Sequence, residues 1–335
     1  SHTMKKFRML KSAFRRGIVP TVISSILFAG LSASGIAVAE SIEDFPSKPI
    51  RFVTPYPPGG SHSLHAGIIT TVAEPYFGQP MISVIRSGGG GVVGAANVAE
   101  ADPDGYTLLF GDPTINSLRP QVEKLPFEID DFVPVARINY SPAVFVARAD
   151  APFSTMEEMV QFARDNPDDL IYSSDNVNGW TYTVFELLKV KTGTTMRGVE
   201  FGGGGPAITN LLGGNTMAYA GAPSVVADHV ESGALKALCV TDNKPWPTMP
   251  DVKPCPELGY DVVFQFWRGV LVPAKTPQPI IDKLSAGFAE LVKDKGFLRL
   301  ISSINSKVDF ADHETFSKLF AKEVEDMAAI AKSME

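Results

Sequence analysis

Short apolar, β-branched runs alternate along the chain with stretches whose apolar positions recur every three or four residues, the pattern of strands alternating with amphipathic helices. Strands are predicted at 50–54, 81–85, 106–110, 135–147, 170–173, 198–201, 216–220 and 235–241. Helices are predicted at 63–76, 92–99, 181–192, 207–212 and 225–232. Ser154-Thr155-Met156-Glu157 has the spacing of a capping box and opens another helix, which ends before Asn166-Pro167. Towards the carboxy terminus, Ile280, Ile281, Leu284, Phe288 and Leu291 form one apolar stripe; Phe316, Leu319, Phe320, Val324 and Met327 form a second. Both read as core faces. This alternation predicts an α/β fold of mainly parallel sheets with helices on both faces. The long run 135–147, interrupted by Ser141-Pro142, passes from one lobe to another, and 235–241 returns. The expected organisation is a discontinuous first lobe, 40–140 plus 240–335, with 141–239 inserted as the second lobe.

Residues 1–39 stand apart from this rhythm. Lys5, Lys6, Arg8, Lys11, Arg15 and Arg16 precede the apolar stretch 18–31, and Ala37-Val38-Ala39 supplies small residues for a cleavage site. This is the order of a signal peptide, cut after Ala39, with Ser1-His2-Thr3 read as a tag scar before Met4. An uncleaved anchor is the alternative, since 17–39 is nearly long enough to span a bilayer. The expected location is the periplasm.

The 335 residues carry a formal charge of −7. Removing 1–39 takes six of the 30 lysines and arginines and no acid, leaving −13. That balance excludes the basic footprint of a nucleic-acid-binding protein. An anion site on such a chain must be local, built from backbone dipoles and hydroxyls. Cys239 and Cys255 are compatible with a disulfide in an exported chain, although spacing alone does not bring their Cα atoms together.

Two strand–glycine–helix junctions carry the candidate chemistry. Strand 50–54 runs into Pro57-Pro58-Gly59-Gly60-Ser61, and strand 198–201 runs into Gly202-Gly203-Gly204-Gly205-Pro206. Each aims backbone N–H groups at one spot, which holds an anion without enzymatic chemistry. Enzyme readings are thinner. Ser61, His62, Ser63 and His65 mimic a Ser/His pair or a two-histidine metal site, but neither has an evident third group. Gly88 to Gly91 lacks the register of a dinucleotide fingerprint and reads as a close-approach turn braced by Arg86. No cofactor is expected. Arg268 either faces the cleft or pairs structurally with an acid such as Asp112.

An ordered set of motifs carries a family resemblance: Ser47-Lys48-Pro49-Ile50-Arg51 with Pro57-Pro58-Gly59-Gly60; Arg86 before Gly88 to Gly91; Ala101-Asp102-Pro103-Asp104-Gly105-Tyr106; Gly205-Pro206-Ala207 with Leu211-Leu212-Gly213-Gly214; Met249-Pro250-Asp251-Val252; and Phe266-Trp267-Arg268-Gly269-Val270. Together they resemble the Bug receptors, the extracytoplasmic solute-binding proteins of tripartite tricarboxylate transporters. The resemblance spans essentially all of 40–335. It implies a two-lobe type II periplasmic-binding-protein fold, a small organic carboxylate as ligand and membrane transporter subunits as partners. Carried over by position, it implies ligand contacts from Gly59, Gly60, Ser61, His62 and Ser63 in the first lobe. Ser173, Ser174, Asn178, Gly179, Thr181, Gly203, Gly204 and Gly205 are the second-lobe counterparts, with Asp112, Trp267 and Arg268 as further candidates.

The sequence departs from the family pattern where Ser63 and Gly67 replace a common Asp and Arg, and where Phe201-Gly202 replaces Tyr-Lys. A less charged site follows, with Trp180, Tyr182, Tyr219, Phe266 and Trp267 as candidate walls. An aromatic or partly apolar carboxylate then fits better than citrate, and without the Asp at 63 an α-ammonium group has no evident partner. Transport receptor, ligand-sensing partner of a membrane signalling protein, and hydrolase are the function classes the sequence leaves open.

Overall fold

The computed structural model describes residues 40–333, so the expectations placed on 1–39 lie outside the described residues. Elements follow the predicted alternation through the first lobe: β1 (Ile50–Thr54), α1 (Ser61–Val72), the short α2 (Glu74–Phe77), β2 (Met81–Ile85), α3 (Val92–Ala99), β3 (Thr107–Gly111), the short α4 (Arg119–Val122) and β4 (Phe132–Pro142). Next come β5 (Val144–Arg148), α5 (Met156–Asp165), β6 (Ile171–Ser174), α6 (Trp180–Thr192), β7 (Arg197–Glu200), α7 (Gly204–Leu212), β8 (Ala218–Gly221), α8 (Pro223–Glu231) and β9 (Leu235–Val240). The chain closes with β10 (Gln265–Pro273), α9 (Gln278–Leu291), α10 (Lys295–Ser303) and α11 (His313–Ser333).

The strands make two five-stranded sheets, ordered β2-β1-β3-β10-β4 and β7-β6-β8-β5-β9. In the first, β1 pairs parallel with β2 and β3, while β10 runs antiparallel to β3 and β4. In the second, β6 pairs parallel with β7 and β8, while β5 runs antiparallel to β8 and β9. Each sheet is thus a parallel set with one antiparallel strand next to an edge. Strand β10 was not among the predicted elements. Its run from Phe266 to Pro273 is buried throughout, so it lacks the alternation that marks a half-exposed strand.

The predicted run 135–147 is two strands in different sheets, separated at Ala143. The return after β9 passes beside it. Thr241 N–H donates to Ala143 O at 2.8 Å, and Ala143 N–H donates to Thr241 Oγ1 at 2.9 Å. Tyr140 and Gln265 both donate to the carboxylate of Asp242, at 3.2 Å each, alongside these crossings. Helix α11 also reaches both lobes: Phe316 and Phe320 pack with Trp267, whereas Met327 and Ala331 join the core that contains Phe145, Tyr172 and Phe185. The segment carrying Cys255, Val262 and Phe264 lies in that same second core. Cys239 and Cys255 form a disulfide there.

Local chemistry explains the helix starts. At α5 the cap is Thr155, one residue later than the sequence spacing suggested: its Oγ1 accepts Glu158 N–H at 3.1 Å, and the Glu158 carboxylate accepts Ser154 N–H at 2.8 Å. Helices α1 and α7 have glycine N-caps without any side-chain cap. Both follow the carboxyl ends of parallel strands, where α/β sheets bind ligands.

Candidate functional site

The two glycine turns meet across the lobes. A Cβ built on Gly205 would lie 2.3 Å from Pro58 O and 3.1 Å from Gly59 C, and one on Gly203 would lie 2.7 Å from the Pro57 ring. Only glycine permits this approach. Gly59, at φ +92°, turns the chain into α1 in the left-handed region where a side chain is strained. Around the junction lies a cavity with about 40 Å³ of water-accessible space. Tyr56, Gly60, Ser61, His62 and Phe266 line it from the first lobe. From the second come Asp175, Trp180, Thr181, Gly203, Gly204 and Tyr219, with Ala222 and Val225.

Three helix N-termini converge here. In α1 the first amide with a helical acceptor is that of Leu64, to Gly60 O at 3.2 Å, so the helix offers no acceptor to Ser61, His62 and Ser63 N–H. In α7 the first is Ala207 N–H, to Gly203 O at 3.1 Å, which leaves Gly204 and Gly205 N–H in the same state. These are donors for an anion, reinforced by the positive ends of both helices. At α6 the position is already filled. The Asp175 carboxylate accepts Trp180 N–H at 2.7 Å, and Gly179 has no room for a side chain because a Cβ would lie 2.6 Å from the Asp175 oxygens.

The imidazole of His62 is buried, with Nε2 3.2 Å from Gly111 O and 3.5 Å from Asp112 Oδ2. Burial pulls its pKa down to about 4, so the ring is neutral near pH 7. His65 is buried too, and both its nitrogens are occupied, by Ser61 O at 2.5 Å and Ser306 Oγ at 2.7 Å. Among the described residues no group of three or more His, Cys, Asp or Glu is placed to hold a metal ion.

Residues 68–335 match the family model of the tripartite tricarboxylate transporter family receptor, TctC. The chain belongs to this receptor family. It is a binding receptor, not an enzyme. Protein BugT of Bordetella pertussis is 26% identical over 319 residues, covering 93% of this chain and 97% of the relative. The solved structure of the periplasmic binding protein BugD superposes with a TM-score of 0.82 at 25% identity, covering 87% of this chain and 98% of that one. MatC from Rhodopseudomonas palustris, solved with bound malate, gives 0.80 at 25% identity over 86% of this chain and all (100%) of its own. The fold is the two-lobe type II periplasmic-binding-protein fold.

Within this receptor the predicted site residues divide. Gly60, Ser61, His62, Thr181, Gly203 and Gly204 line the cavity, while Gly59 and Gly205 form the contact beneath it. Ser63 braces the turn instead: its Oγ accepts Gly59 N–H at 3.0 Å and donates to Gly60 O at 3.1 Å. Asp112 is turned into the first lobe. Its Oδ1 accepts Thr114 N–H, Thr114 Oγ1–H and Ile115 N–H at 2.7 to 3.1 Å, and its Oδ2 accepts the Tyr56 hydroxyl. Ser173 bonds Thr216 at 2.6 Å, Ser174 is buried behind Asp175, and Asn178 reaches across to Glu123 at 3.2 Å.

Trp267 is not at the cavity. Successive β10 side chains alternate in direction, so Phe266 faces the cavity while Trp267 packs 5.0 Å from Phe316 and donates to Glu323 at 2.6 Å. Tyr182 also lies outside the lining. Arg268 neither lines the cavity nor makes an ion pair in contact with Asp112. It is fully buried and donates to Asn139 Oδ1 at 3.0 Å and Ser141 Oγ at 2.9 Å. The turn at Gly88 to Gly91 is braced by Arg119, which donates to Gly89 O and Gly90 O, rather than by Arg86.

Sequence reasoning missed Asp175 and Tyr56. Neither sits in a glycine motif, and only the folded loop after β6 and the turn after β1 bring them to the same cavity.

Proposed function

We propose that this receptor works in the periplasm, captures a small organic carboxylate between its lobes and delivers it to the membrane subunits of a tripartite tricarboxylate transporter. The observation that carries the reading is the meeting of the α1 and α7 glycine turns, each with amides that its helix leaves without acceptors, over one buried cavity. A carboxylate there draws hydrogen bonds from both lobes at once, so binding favours the closed arrangement. The malate bound to MatC and the family's transporter receptors support the ligand class and the partner. Trp180 stacks on Phe266 at 4.1 Å, and this pair gives the cavity an apolar wall suited to a partly apolar acid.

Isothermal titration with a panel of aliphatic, aromatic and tricarboxylic acids tests the reading. At least one small carboxylate should bind with one-to-one stoichiometry and be recovered chemically unchanged. Failure of every carboxylate, or conversion of one to product, would overturn it.

A further inference from the structure

We propose that Asp175 is a specificity-determining anionic pole of the cavity, and that the carboxylate this receptor captures also carries an amine or ammonium group directed at it. The proposal rests on the reading of the cleft as a carboxylate site and adds a second requirement to the ligand.

Asp175 lines the cavity opposite the α1 turn, yet it enters none of the ion pairs among the described residues. Its Oδ2 is well held by Trp180 N–H at 2.7 Å. Its Oδ1 meets Tyr182 N–H and Ser174 Oγ–H at 3.5 Å, and the backbone N–H groups of Asn176 and Thr181 also act on the carboxylate. The backbone amides around Asp175 favour its charged form, yet no cationic side chain among the described residues pairs with it. Burial nonetheless raises its pKa, and its charge helps raise those of Tyr56 and Tyr219 on the cavity wall.

The rest of the wall suits a cation next to that carboxylate. Tyr56, Trp180, Tyr219 and Phe266 present aromatic surface, which attracts ammonium groups through the ring quadrupole. The indole N–H of Trp180 is buried without an acceptor, a donor suited to a ligand oxygen. Donors at the glycine turns and at Trp180, with an acceptor at Asp175, describe a zwitterion. The same carboxylate repels the second acid group of a dicarboxylate in a closed, low-dielectric space, so it selects against such ligands as well as for amines.

Isosteric probe pairs test the proposal by calorimetry on the whole receptor: trimethylglycine against 3,3-dimethylbutanoate, phenylalanine against 2-methyl-3-phenylpropanoate, and 4-aminobutanoate against pentanoate. In at least one pair the amino member should bind about tenfold tighter or more, the scale expected for a charge pair closed off from water. Asp175→Asn keeps an acceptor for Trp180 N–H and should abolish that preference, weakening the amino member while leaving or strengthening the simple acid. Equal or tighter binding of the simple acids across the wild-type pairs would overturn the proposal without any variant, and would leave the carboxylate reading standing. Binding by no member of any pair, together with failure of the wider acid panel, would sink the carboxylate reading itself and this inference with it.

Discussion

His62 shows how burial sets the chemistry of a single side chain. A histidine next to Ser61 and Ser63 looked in the sequence like half of a nucleophile–base pair, but its ring packs 5.0 Å from Phe110 and 4.8 Å from Tyr56, and it stays neutral. Below pH 6.5 the unfolded chain protonates this residue while the folded one resists down to about pH 4, so the unfolded state binds more protons and stability falls as pH falls. The shift corresponds to about 3 kcal/mol across that window. His62→Gln should flatten the acid limb of stability between pH 6.5 and 4, as read by urea unfolding at a series of pH values; an unchanged slope would contradict the assignment. Residue roles were the least legible part of the sequence. Ser63 was expected to touch ligand and instead braces the turn, because its hydroxyl reaches Gly59 N–H from one helical turn away. Asp175 went unnoticed because its role depends on the turn that lays its carboxylate over the amides of α6.

Among the elements, the junctions β1–α1 and β7–α7 were legible because a strand, a glycine cluster and a helix pattern occur in order. Their contact was not legible, since it joins residues about 145 positions apart through the folding of both lobes. Gly205 lies in a helix, where alanine is the better helix former, so Gly205→Ala should leave the second lobe folded while its methyl meets Pro58 O at 2.3 Å in the closed form. Affinity for the best-binding carboxylate should fall at least tenfold with the melting temperature of the unliganded protein held within a few degrees. Retained affinity would show that closure does not require this contact. Gly67 is the matching control: it is exposed in α1 with nothing within 4 Å of its Cβ position. Gly67→Ala should raise stability by about 0.5–1 kcal/mol and leave binding unchanged.

At the scale of the whole molecule, the α/β alternation was enough to anticipate the α/β fold with its largely parallel sheets. It was not enough to find β10, whose almost continuously buried run pairs with β3 and β4 in the first sheet, or to see that α11 ends in the second core. The crossing at Ala143 is hydrogen-bonded to Thr241, beside the point where Phe264 leads into β10, and residues from both glycine turns line the cavity. Such an arrangement suits hinged closure around a ligand, with the turns as the last surfaces to come together. The most direct test is a crystal structure of the receptor with the tightest-binding carboxylate of the titration panel. The ligand should be enclosed by both lobes, with carboxylate oxygens within about 3.2 Å of amides at the starts of both α1 and α7. A ligand held by one lobe alone, or lying outside the cavity bounded by Ser61, Asp175 and Gly204, would contradict the account.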